Sequence, residues 1–177
     1  MTMKIYSPKQ NKPGFRAQAM VEFAVALPVL LVLLVGIIEA GRMVMMYAVV
    51  TNASRDAVRY ASAVGRSDDG FLKYKYCAGI KQAAKTSGYI LGLKDSDITI
   101  SYYHGTSSTA FTTCTAASGE DSSVVLNTCK DNTSCDRVKV TVQKTYKPII
   151  KLIPLGNHTF SSAATRTILG IFDLPNP

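Results

Sequence analysis

Cys77, Cys114, Cys129 and Cys135 are the residues of this chain best suited by type and spacing to do chemistry. Cysteine sulfurs can hold a metal as thiolates or cross-link the chain as disulfides, and their pattern helps to decide which. There is no CxxC pair, which argues against zinc, and the even number fits two disulfides in an oxidising compartment. Four cysteines allow three pairings. The expected one is a short clip, Cys129–Cys135, together with a long one, Cys77–Cys114. His104 and His158 stand isolated in the sequence and read as surface or strand residues rather than catalysts. The acidic pairs Asp68-Asp69 and Glu120-Asp121 lack the ligand density of a calcium loop. No GxSxG, GxxxxGK or HExxH run occurs. The expectation is therefore a protein that is not an enzyme, with no metal, no cofactor and no small-molecule substrate.

One further residue is chemically out of place. Glu22 is the single charge in Met20–Ile38, MVEFAVALPVLLVLLVGII. As a helix this run would extend about 28 Å, close to the thickness of a bilayer core. It is longer than the apolar part of a cleaved signal peptide and has no clean small-x-small site after it. A buried core helix of this length would be unusual in so small a protein. A single membrane anchor is the preferred reading. Lys4, Lys9, Lys12 and Arg16 supply +4 of the formal net charge of +8. Positive charge gathers on the cytoplasmic side, so the expected orientation is amino terminus in and carboxyl terminus out. The remaining basic excess is diffuse, and nucleic acid is not an expected partner. Within lipid, Glu22 either snorkels to the headgroups or has a dedicated cationic partner. Pro28 removes one backbone donor from the same helix.

These residues need elements to hold them. A single helix is expected over 18–65, with a membrane-spanning part at 20–38 and an amphipathic part at 42–64. Met43, Tyr47, Val50, Ser54, Ala57, Ala61 and Val64 recur at spacings of four and three, the stripe of one helix face. Asn52, Arg55, Asp56 and Arg59 lie off it. Residues 66–177 form the expected exported domain. A second helix is expected over 71–88, with Tyr76, Ile80, Ala83 and Ala84 on its apolar side and Gly88 as its stop. Strands are expected over 97–103 and 136–143, where apolar and polar residues alternate, and more weakly over 158–169. The Ser/Thr/Cys-rich segment 105–135 reads as a long loop, and 147–155 as an apolar loop lying over the sheet edge or on the membrane surface. The fold class is α+β: a long amino-terminal helix packed on a small antiparallel sheet.

The segments Arg16-Ala17-Gln18-Ala19-Met20-Val21-Glu22-Phe23-Ala24, Leu27-Pro28-Val29-Leu30-Leu31 and Gly36-Ile37-Ile38-Glu39-Ala40-Gly41-Arg42 resemble the amino-terminal signature of TadE-like proteins. These are pseudopilins of the tight-adherence (Tad) pilus, within the type IV pilus superfamily. The resemblance implies a type IV pilin-like fold and a basic leader, residues 1–17, removed by a prepilin peptidase between Ala17 and Gln18. Glu22 would then be the fifth mature residue. Ala17 stands where the family usually has glycine. The resemblance also implies that Glu22, with Phe23 and Pro28, makes subunit contacts, the carboxylate pairing with the amino-terminal ammonium of a neighbour. Expected partners are other pilins and pseudopilins, the Tad assembly machinery, the peptidase and membrane lipid. The expected place is the bacterial inner membrane, then a pilus on the cell surface serving adhesion. The alternative is a bitopic membrane protein that does not polymerise and whose exported domain binds a ligand or partner.

Overall fold

The computed structural model describes residues 14–126, 135–149 and 156–169, with side chains from residue 18 onward. The chain divides into two compact units, residues 1–41 and 42–177. The architecture is α+β. A long helix, α1 (Gly14–Ser62), precedes a shorter one, α2 (Cys77–Ser87). Short 3₁₀ turns at Tyr89–Leu91 and Asp95–Asp97 lead into β1 (Ile98–Tyr103), β2 (Thr112–Thr113), β3 (Arg137–Tyr146) and β4 (His158–Thr167). All strand pairs are antiparallel, in the order β2-β1-β3-β4.

The sheet follows from the alternation in its strands. Ile98, Ile100 and Tyr102 of β1 lie opposite Val142, Val140 and Val138 of β3, and all six are buried. Successive side chains point to opposite faces of a strand, so this register places both apolar sets on one side of the sheet. The outer part of α1 covers that side. Val50, Ala53, Ala57, Val58 and Ala61 are at most 2% exposed and share one core with the strands and with Ile80 and Ala84 of α2. The small alanines let the helix approach closely. Ser54 is also fully buried; its hydroxyl donates to the Thr51 carbonyl (2.9 Å) and lies 3.3 Å from the Ser162 hydroxyl on β4.

Three expectations are corrected. Tyr47 and Val64 were placed on the buried stripe, but they are 56% and 54% exposed. The stripe is buried only over 50–61, where the sheet lies against it. The second helix begins at Cys77 rather than residue 71. The segment before it uses its backbone elsewhere: Leu72 N donates to Glu120 Oε1, the Tyr74 carbonyl accepts from the Tyr102 hydroxyl, and the Lys75 carbonyl accepts from Asp121 N. A helix over these residues would need the Tyr74 and Lys75 carbonyls for its own ladder. Finally, the expected loop 105–135 is interrupted by β2, which pairs Thr112 and Thr113 with Tyr102 and Ser101. Of the expected apolar loop 147–155, residues 150–155 lie outside the described residues.

Candidate functional site

The first candidate is the inner part of α1, taken by itself. Glu22 is exposed there, and Gln18 Nε2 donates to its Oε1 at 3.0 Å, one helical turn away. Phe23 is 66% exposed, and Met20, Val25 and Val29 are exposed to a similar degree. Val21, Glu22, Val25, Ala26, Val29, Leu30 and Leu33 line a shallow apolar groove along this flank. Pro28 lies inside the helix, where its missing N–H leaves the Ala24 carbonyl without a helical donor. Ala17 is helical, but its side chain is outside the described set. So much exposed apolar surface needs lipid or protein to cover it. This helix is long and apolar enough to cross a membrane. Its carboxylate sits at the apolar rim, beside the residue that the resemblance makes the mature amino terminus.

The second candidate lies in the exported part. Cys77, at the start of α2, and Cys114, just after β2, form a disulfide with Cα atoms 5.7 Å apart. Cys135 is also disulfide-bonded; Cys129, its expected partner, lies outside the described residues. Cys77, Cys114 and Asp121 bring their sulfur and carboxylate atoms within 4.8 Å of one another, as a metal site would require. The two sulfurs, however, are bonded to each other. The Asp121 carboxylate is occupied as well. It accepts from Thr115 N (2.8 Å), Ala116 N (3.3 Å), Ser123 N (3.0 Å) and the Ser123 hydroxyl (2.6 Å). The Ser123 hydroxyl and these amides lower its pKa to about 2 against the opposing effect of burial. The site is a covalent and hydrogen-bonded knot that ties the segment after β1 to the start of α2. Burial raises the Tyr102 pKa beneath it, with Asp121 adding to the shift.

His104 stands alone in the sequence and is partly exposed at the end of β1, but the fold gives it a partner. Its Nδ1 lies 2.9 Å from Oδ1 of Asp136, a carboxylate only 1% exposed, and its ring stacks on Phe111 at 3.8 Å between centroids. A His–Asp pair is half of a hydrolytic triad. Here it fastens the end of β1 to the head of β3, assisted by Arg137 Nη2 donating to the Ser107 carbonyl. His158 opens β4 opposite Tyr146. A polar cleft of about 630 Å³ lies between the outer part of α1 and α2, lined by Asp56, Tyr60, Asp69, Tyr76 and Gln82 among others. The sequence reading missed Asp121, Asp136 and this cleft. Their partners lie on other elements, and only the tight acid-turn pattern Asp121-Ser-Ser123 was available as a signal.

A long apolar helix continuing into a small disulfide-clipped α+β domain suggests a membrane-anchored protein. Residues 17–59 match the family of TadE-like proteins. The family suggests association with components of the Tad pilus. Neither a curated protein nor a solved structure matches the chain.

Proposed function

We propose that this chain is a structural, non-catalytic minor subunit of a Tad-type pilus, assembled through α1 and supporting adhesion. The observation that carries the reading is the TadE-like match over residues 17–59, lying on one continuous helix whose apolar run contains a single carboxylate. A prepilin peptidase removes residues 1–17, exposing an ammonium group on Gln18. In the single chain Glu22 is met by the Gln18 side chain. In the assembly it pairs with the new ammonium of a neighbouring subunit. A charge pair in an apolar setting holds register because loss of one partner strands the other, at a cost of about 3–5 kcal/mol. The exported domain, residues 66–177, faces away from the cytoplasm.

Two measurements test this. Amino-terminal sequencing of the protein from its native host should begin at Gln18, and an intact Met1 in assembled material would refute processing. Glu22→Ala should still insert in the membrane but no longer co-purify with the other Tad components; unchanged co-purification would remove Glu22 from assembly. The polar cleft between α1 and α2 favours a second reading, a bitopic receptor-like protein that binds a ligand without polymerising. A mature, membrane-embedded protein absent from every filament fraction would favour it.

A further inference from the structure

We propose that one end of the exported unit is a docking surface for an anionic lipid leaflet. The end concerned is the one where α1 enters the unit, at Arg42. The Arg42 guanidinium sits 5.4 Å from the centroid of the Tyr146 ring, at the close of β3. Arg42 follows the last residue of the apolar run, Ile38, by four positions, roughly 6 Å along a helix. Along the chain, Arg42 therefore lies about one helical turn beyond the end of the apolar run.

What packs there is unusual for a water-facing surface. Just beyond Tyr146, Lys147 is exposed and Ile149 is 71% exposed. Lys144 Nζ, two residues before Tyr146, donates to the Gly92 carbonyl at 3.0 Å and brings the Tyr89–Leu91 turn to the same end. That turn presents Tyr89 at 75% and Ile90 at 54% exposure. It is held by Gly92, whose left-handed backbone (φ +54°) closes the turn, while Leu91 packs against the core. The apolar tip is thus anchored to the core through Leu91. Two acids of this end are paired within the fold, Asp95 with Lys85 at 2.7 Å and Asp97 with Lys144 at 2.8 Å, and Glu39, one turn before Arg42 on α1, is only 3% exposed. Exposed Lys94 and Lys147 carry the excess positive charge. Tyrosine and isoleucine side chains flanked by lysines are the composition of an interfacial surface on anionic lipid.

The inference rests on membrane anchoring and not on polymerisation. The experiment uses the full chain reconstituted into vesicles, with flotation verifying insertion in every sample. No cysteine is free among the described residues, so Ser96→Cys, beside the tip, and Ser108→Cys, in the loop after β1 at the opposite end of β3, each give one labelling site. A fluorophore at position 96 should be quenched by headgroup-labelled lipid in vesicles containing phosphatidylglycerol, and one at position 108 should not. Quenching at 96 should fall in phosphatidylcholine vesicles and at high salt. It should also fall in Ile90→Glu and in Lys94→Gln/Lys147→Gln, the latter by about five-fold in docked population per lysine removed. Unchanged urea midpoints for these variants separate loss of docking from loss of fold. Equal quenching at 96 and 108, or quenching at 96 indifferent to lipid charge and to all three substitutions, would overturn the proposal. Failed flotation would instead overturn the anchoring reading beneath it.

Discussion

Replacing Cys77 and Cys114 together by alanine opens a loop whose ends are 37 residues apart in sequence. The chain-entropy relation for a loop of that length gives a loss of about 4 kcal/mol at 25 °C. The rest of the knot would have to hold alone the segment that the disulfide now ties to α2. Urea unfolding of the detergent-solubilised full chain measures this directly. The protein has 9 Tyr and no Trp, so tyrosine fluorescence reports on the folded domain. With a slope of about 2 kcal/mol per molar urea, the midpoint should fall by about 2 M. Adding Asp121→Asn should cost less in the variant than in the parent, because Asp121 Oδ2 lies 3.7 Å from Cys77 Sγ and both fix the same segment. A midpoint shift below about 0.5 M would refute the reasoning, since the bridge would then close a segment already ordered without it.

The pH dependence of stability should carry the signature of Asp121. Its pKa is depressed from the usual 3.8 to about 2 in the fold, so its contribution is present in full above about 3.8 and is lost as pH falls through 2. The shift corresponds to about 2 kcal/mol, and acid titration of the urea midpoint in the parent and in Asp121→Asn should differ by that amount. Gly79→Ala should destabilise by about 1–3 kcal/mol, because its Cβ would fall 2.4 Å from Tyr76 Cδ1 and 2.6 Å from the Tyr60 hydroxyl, where α2 meets α1. Thermal unfolding reads it. Tyr102→Phe removes the hydroxyl that satisfies the Tyr74 carbonyl in the core and should cost about 1–3 kcal/mol by the same measurement.

Where a pattern is local, the sequence carried it. The alternation of Ile98, Ile100 and Tyr102, and of Val138, Val140 and Val142, announced two strands, and they pair face to face. The helix was legible because little between Gln18 and Ser62 opposes it beyond Pro28 and two interior glycines, Gly36 and Gly41. Its buried arc was less so: a stripe at spacings of four and three says which face is apolar, but not where along the helix a sheet begins to cover it, hence Tyr47 and Val64. The start of α2 was hidden because its competitors are Glu120, Asp121 and Tyr102, whose arrival is a tertiary event. Strand β2 is two threonines long, too short to show a period. The partners of Asp121 and Asp136 were not legible, because the fold supplies them: three amides and a hydroxyl to one and His104 to the other.

The family match and the core overlap in a way that assigns different work to the two parts of α1. The match spans residues 17–59, so it takes in the exposed apolar run and most of the arc that packs under the sheet. In that arc the constraint is steric: Ala53, Ala57 and Ala61 are fully buried and any larger side chain would push the sheet away. In the apolar run most large side chains are exposed, so little among the described residues fixes their sizes. A lipid would accept almost any apolar residue there and would disfavour a carboxylate. A protein surface would fix the residues individually and could supply a partner for Glu22. Substitutions such as Val25→Leu or Val29→Leu should therefore leave insertion unchanged but lower recovery with Tad components if the run packs on other subunits, and should change neither if it only meets lipid.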